Sequence, residues 1–196
     1  MLHPIDHLKK VLDLTPQQEE SIRSMVEERS YRKGDRITAL SDIRTHNIYI
    51  TRGAARVFYV KGGKQHTFSF AFEGEFVSIS VNLVDKPYSQ LTIEFLEPTD
   101  VVLMPIDNIH LMVESLGKGH GKEIATMVIT ALLDLVRSLE ERLLMLQGLS
   151  AKERYAWLLN RYPLILERAT VTQIASFLGI TKETLYRIRA GKYKAK

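Results

Sequence analysis

The stretch IASFLGITKETLYRIRAG, residues 174–191, sets an alanine, a glycine and a ladder of aliphatics just ahead of a run of Lys, Arg and Tyr. Counted from Val171, apolar residues fall at Ile174, Leu178, Ile180, Leu185 and Ile188, and small ones at Ala175 and Gly179. At about 3.6 residues per helical turn, Ile174 and Leu178 share one face of a first helix, and Leu185 and Ile188 share one face of a second. Ala175 is small where the second helix must cross close by. Gly179 stands at the end of the first helix, where a positive φ is cheap only for glycine. Thr181 is placed to cap the second helix, Lys182 to Arg189. Two short helices joined by a glycine turn at this spacing are a helix-turn-helix.

The second helix turns Lys182, Glu183, Tyr186, Arg187 and Arg189 outward, and such side chains reach base edges and phosphates in a major groove. Charge points the same way. Residues 150–196 hold five Lys, five Arg and three acidic residues, a surplus of +7, whereas the whole chain carries +4, leaving −3 on residues 1–149. A small basic end on a mildly acidic body implies a polyanionic partner. A solvated basic face on an ordinary helical hairpin is the alternative that charge alone leaves open.

The remaining composition bounds what the chain can be. Its 196 residues suit one domain plus a small second one, and 45% hydrophobic with 26% charged residues is enough for a sizeable core. There is no cysteine, which excludes disulfides, thiolate zinc sites, cysteine-ligated iron–sulfur clusters and cysteine nucleophiles. No stretch approaches the roughly 18 apolar residues of a membrane span. The opening MLHPIDHLKK lacks the apolar core of a signal peptide, so a cytoplasmic location is expected. The six histidines, His3, His7, His46, His66, His110 and His120, are scattered, without the His-x-His pairing of a cupin-type metal enzyme. The pairs Glu19-Glu20, Glu27-Glu28 and Glu140-Glu141 belong on solvated helix faces. Neither a catalytic residue nor a metal ligand emerges, and a non-enzyme is expected.

Residues 4–30 have helical spacing, with Thr15-Pro16 opening a second helix. From Tyr31 short alternating runs follow, among them Ile48 to Ile50, Ala55 to Val60, Thr67 to Phe72, Leu91 to Leu96 and Asp100 to Met104. Turn signals at Gly34, Gly53, Gly62-Gly63 and Gly74 separate them, which favours an antiparallel sandwich or barrel. Phe68, Phe70, Phe72 and Phe76 alternate as the lining of such a roll's interior. Asp107 to Leu116 is a short helical run, interrupted by Gly117 to Gly121. A long helix over 122–147, roughly 40 Å in length, carries the apolar stripe Ala125, Val128, Leu132, Leu135, Leu139, Leu146 and Leu149, a coiled-coil seam with Arg142 in the skipped position. Gly148 ends it, and Ser150-Ala-Lys-Glu153 is a capping box that starts a new helix. The expected organisation is therefore α+β: a β-roll domain over 1–121, a dimerisation helix and hinge over 122–149, and a helix-turn-helix domain over 150–196. Trp157, Tyr155, Leu158 and Leu159 supply core to the last of these.

In this order the parts resemble the cAMP receptor/FNR (Crp/Fnr) family of bacterial transcription regulators. Tyr31-Arg-Lys-Gly-Asp35 is similar to the entry to that family's cyclic-nucleotide-binding β-roll, Ile48-Tyr-Ile-Thr-Arg-Gly53 to its next strand and turn, and Gly74-Glu75-Phe76 to the start of its phosphate-binding cassette. Thr181-Lys-Glu-Thr-Leu-Tyr-Arg-Ile188 is similar to its recognition helix. The resemblance implies a homodimer joined through the long helix, reading a palindromic double-stranded DNA site. An activator of this type also contacts RNA polymerase. It further implies that Arg187 holds guanine O6 and N7, that Glu183 accepts from cytosine N4, and that Lys182 takes a guanine or a phosphate. Thr172, Thr184 and Arg189 would fix the register on the backbone.

The chain also departs from the pattern. In members that bind cAMP, an Arg followed by a small polar residue neutralises the phosphate fifteen residues after the cassette glycine. Here that count from Gly74 reaches Ser89, followed by Gln90. A buried phosphate without a cation is costly, so cAMP is not expected in the effector pocket built on Gly74, Glu75, Ser89 and Gln90, which is left to an unknown effector, to a partner or empty, with no cofactor required. After Arg189 a truncated wing is expected, with Lys192, Lys194 and Lys196 either in a disordered tail or as a flexible arm that touches phosphates. Two alternatives compete: a ligand-binding or protein-interaction module whose helix-turn-helix does not read DNA, and a β-roll metalloenzyme.

Overall fold

The computed structural model describes residues 3–38, 46–77, 91–105, 111, 114 and 120–193. Helices α1 (Pro4–Val11) and α2 (Pro16–Ser24) open the chain. Thr15 caps α2 with its hydroxyl, Gln18 returns the bond, and Pro16 occupies the first turn, where its missing N–H costs nothing. Among the described residues eight strands follow: β1 (Glu27–Tyr31), β2 (Arg36–Thr38), β3 (His46–Arg52), β4 (Ala55–Lys61), β5 (Lys64–Ala71), β6 (Phe76–Val77), β7 (Thr92–Phe95) and β8 (Thr99–Pro105). They form two four-stranded antiparallel sheets, ordered β1-β8-β3-β6 and β2-β7-β4-β5. Between the sheets lie Ile37, Ile48, Ile50, Ala55, Val57, Ala71, Val77, Ile93, Phe95, Val101 and Leu103, all buried. Gly53 turns β3 into β4 at φ +96°, and a β-carbon there would sit 2.5 Å from Thr99 Oγ1, so glycine is required.

Two expectations are corrected here. Helical spacing extends to residue 30 in the sequence, but Glu27–Tyr31 is strand β1, because its backbone pairs with β8 from Glu27↔Leu103 to Tyr31↔Thr99. Pairing overrides the local preference of two glutamates. The phenylalanine row does not line the roll. Phe68 is the extra residue of a β-bulge, between Thr67↔Phe58 and Ser69↔Val57, and is 45% exposed. Phe76 is 55% exposed, and Phe70 and Phe72 pack outward against Tyr162. The bulge shifts the alternation, so Ala71 points inward.

Helix α3 (Gly121–Gly148) is followed by α4 (Ala151–Arg161), α5 (Ile165–Arg168), α6 (Val171–Leu178) and α7 (Lys182–Arg189). Every residue of α3 from 131 to 141 is exposed. Leu132, Leu135 and Leu139 are 56%, 55% and 48% exposed, Ala125 is also exposed, and the side chain of Val128 lies outside what the structure describes. The C-terminal part of the sequence-derived seam is redirected. Met145 is buried, and Leu146 and Leu149 pack with the small helices, while Arg142 lies 3.7 Å over the Phe177 ring. Ile129, Leu132, Val136, Leu139 and Leu143 are exposed at 3-4-3-4 spacing, with Leu133, Leu135 and Leu144 exposed beside them. The Asp107–Leu116 run lies largely outside the described residues, as do Lys194 and Lys196. Among the described residues no strand follows α7.

Candidate nucleic-acid interface

Helix α6 starts at a capping box between Thr170 and Gln173 and ends at Gly179, whose φ is +66°. Ile180 N–H then reaches back to the Ala175 carbonyl at 3.0 Å, closing the turn. Thr181 Oγ1 accepts from Thr184 N–H at 3.1 Å and starts α7, and the two threonine hydroxyls lie 3.1 Å apart. Ile174, Ala175, Phe177, Leu178 and Leu185 are buried, and Ile188 is half-buried. The apolar ladder thus packs α7 against α6, with Ala175 buried in the same core as Leu185.

On the opposite face of α7, Lys182, Glu183, Tyr186, Arg187 and Arg189 are exposed together, with Thr184 half-buried beside them. Thr172 is exposed on the first turn of α6. A hydrogen bond from its own backbone N–H, then one from the Thr181 hydroxyl and the charges of Lys182 and Arg187, hold the Glu183 carboxyl below the ordinary value. It is a charged acceptor at neutral pH, as pairing with an exocyclic amine requires. One exposed row therefore offers cationic donors, an anionic acceptor and an aromatic hydroxyl.

This unit is docked on the chain's own roll. Ser176 Oγ accepts from Thr67 N–H at 2.9 Å and donates to the Gln65 carbonyl at 3.1 Å, covering the open edge of β5. Arg168 donates to both carboxylate oxygens of Glu73 at 2.7 Å and to Glu97 at 2.5 Å, with its guanidinium over Phe72. Glu73 also accepts from Gly53 N–H at 2.8 Å. Next to these, Glu94 is buried between Arg36 and Arg56 and reaches Gln173 of α6 at 3.4 Å. Burial pushes the Glu94 carboxyl up, but the hydrogen bonds of Arg36 and Arg56 outweigh it and hold it below the ordinary value.

At the candidate effector region, Gly74 sits in the β5–β6 turn at φ +84°, with the Tyr49 hydroxyl 3.9 Å from where its β-carbon would be. Glu75 is turned toward the small helices: it accepts from Phe72 N–H at 3.0 Å and lies 3.5 Å from Arg161. Ser89 and Gln90 lie outside the described residues. A cleft of about 530 Å³ opens between Phe76 of β6 and the first turns of α3, lined by Lys122, Thr126, Met127, Thr130 and Asp134. Glu123 also lines it, with one carboxylate oxygen buried and without a partner among the described residues. Among the described residues no group of three or more His, Asp or Glu could hold a metal ion.

No protein-family model and no curated protein matches this sequence. Solved structures do. FixK2 from Bradyrhizobium japonicum superposes with a TM-score of 0.67 at 22% identity, covering 85% of this chain and 83% of that one. The c-di-GMP-responsive global regulator CLP of Xanthomonas campestris gives 0.66 at 12% identity, over 91% and 94%. A CooA mutant from Carboxydothermus hydrogenoformans gives 0.63 at 16%, over 87% and 77%. The chain has the fold of the Crp/Fnr regulators. In this chain α3 is the long helix that follows the roll, and α6 and α7 are two short helices joined at Gly179. No described helix is long and apolar enough to cross a membrane.

Sequence reasoning missed the residues that join the parts. Arg168 and Glu73 are 95 positions apart, and Ser176 and Gln65 are 111 apart. No local pattern links them. A signal did exist for the cleft, since Thr126 and Thr130 interrupt the apolar content of α3 at helical spacing.

Proposed function

We propose that the chain is a homodimeric transcription regulator that reads a palindromic DNA site with α7. The observation that carries this reading is the exposed row Lys182, Glu183, Tyr186, Arg187 and Arg189, mounted on a helix whose other face is fixed by buried Leu185. Arg187 pairs with guanine, Glu183 accepts from cytosine, and Lys182 takes a guanine or a phosphate. Thr172, Thr184 and Arg189 hold the sugar-phosphate backbone, and Thr181 sets the start of the helix. The exposed apolar row of α3 supports pairing of two copies, with Ala125, Val128, Leu132, Leu135 and Leu139 in or beside the seam. Two recognition helices would then stand about 34 Å apart, one DNA turn. Residues 1–121 form the sensing or scaffolding roll, 122–149 the dimer helix and hinge, and 150–196 the reader. An effector, where one acts, is a small molecule other than cAMP, held between the Gly74–Phe76 turn and the first turns of α3.

The test is selection of bound sequences from a random DNA pool, with wild type and Arg187→Ala in parallel. The wild type is expected to enrich a two-fold palindrome with half-sites one turn apart. Arg187→Ala should lose the preference at one base position of each half-site, at a cost of about 1–3 kcal/mol. If the wild type enriches no sequence with or without candidate nucleotides, the helix-turn-helix serves protein contact instead.

A further inference from the structure

A dimer that reads two half-sites must fix the angle between its dimer helix and each reader. A free hinge would let each α7 find its half-site separately, and no spacing would be preferred. Residues 131–141 of α3 are exposed and, among the described residues, make no hydrogen bond to the small helices. The joint lies further on, where α3 ends, α4 begins, and the turn of the helix-turn-helix approaches both.

Arg154 of α4 occupies this joint. Its Nη2 donates to the Leu146 carbonyl at 2.7 Å and its Nε to the Leu149 carbonyl at 2.9 Å, both at the end of α3. Its Nη1 donates to the Leu178 carbonyl at 3.1 Å, at the end of α6. Helix ends leave their last carbonyls unpaired and carry partial negative charge. One planar guanidinium, with its donors in a fixed fork, satisfies two such ends at once. Gly179 closes against the same group: a β-carbon there would sit 3.5 Å from Arg154 Nη1 and 3.5 Å from Leu146 Cδ2. The dimer helix, the hinge and the reader's turn thus meet at one side chain.

We propose that Arg154 is a positioning residue for half-site spacing: with the packing of Met145 and Leu146 beneath it, its fork locks the end of the dimer helix to the turn of the helix-turn-helix. It touches no DNA. It decides which separation of half-sites two linked readers accept. This rests on the palindrome reading above. Lysine is a poor substitute, because a single ammonium cannot hold three carbonyls that face one planar fork.

The experiment measures the affinity of the full chain for palindromes carrying the selected half-site, with the central spacing lengthened or shortened by one base pair. A single half-site serves as control. Wild type is expected to favour one spacing by roughly tenfold or more, and Arg154→Ala by about threefold or less, with half-site base preference and half-site affinity retained. Such a separation of spacing from base preference is not what simple destabilisation produces. If Arg154→Ala keeps the wild-type spacing profile, the proposal is overturned. If it loses base preference as well, the reader itself is damaged, and Arg154→Lys decides: a broadened spacing profile upholds the proposal and an unchanged one overturns it. A wild type that binds no palindrome would instead sink the underlying regulator reading.

Discussion

Glu73 illustrates how single residues couple the two parts. Hydrogen bonds from Arg168 come first, then from backbone N–H groups including that of Gly53, and they lower its carboxyl from the ordinary 4.5 to about 2. The sign follows from linkage. A carboxyl held below its unfolded value stabilises the fold above about pH 4.5 and loses that contribution as the pH falls toward 2. Glu73 is substantially exposed, so solvent screening keeps the effect small. Trp157, the one tryptophan of the chain, stacks near Phe177 with ring centroids 6.3 Å apart, in the core that joins the small helices to the roll, so its emission senses their undocking. Its emission is expected to shift as wild type is titrated through that window. In Glu73→Gln the change inside the window should shrink, and stability at neutral pH should be slightly lower. Identical acid profiles for the two proteins would detach Glu73 from the acid response.

At the scale of elements, what could be read in the sequence is what local spacing controls. The caps at Thr15, Ser150, Thr170 and Thr181 involve neighbours three residues apart. The capping residues read in the sequence, Thr15, Ser150 and Thr181, start their helices where spacing placed them, and the positive φ of Gly179 falls at the predicted helix end. Strands β3, β4 and β5 follow their turn signals. What could not be read depends on distant pairing. Glu27–Tyr31 becomes a strand only because β8 lies beside it, and Phe68 leaves the alternation only because β4 is one residue shorter across the bulge. The α3 row shows both at once. Its heptad spacing was visible, but its last turns belong to the small helices, since Met145, Leu146 and Leu149 complete their core. What remains outward among the described residues is an apolar surface that includes Ile129, Leu132, Leu135, Val136, Leu139 and Leu143, each about half exposed. Burying such aliphatics is worth about 1.5–3 kcal/mol per side chain. Replacing Leu132 and Leu139 together by glutamate is therefore expected to give a monomer in sedimentation velocity, with affinity for a palindrome reduced to that for one half-site. A double variant that sediments as the wild type would place the dimer contact elsewhere.

The whole molecule contains a core cluster that does not respect its apparent division. Ala54, Phe70 and Leu96 come from the roll, Met145 from the end of α3, and Leu158, Ile165, Ile174, Phe177, Leu178 and Leu185 from the small helices, and together they form one buried group. Phe70 lies 5.1 Å from Phe177 and Tyr162 lies 5.2 Å from Phe72, ring centre to ring centre. The consequence concerns heat. Parts that share side chains cannot melt separately without exposing each other's apolar surface to water. Scanning calorimetry of the full chain is expected to give a single endotherm, and the proposed dimer predicts that its temperature rises with protein concentration. Polar replacement of Phe70 should split that peak in two, because the reader would then have lost the surface that makes its unfolding and the roll's one event.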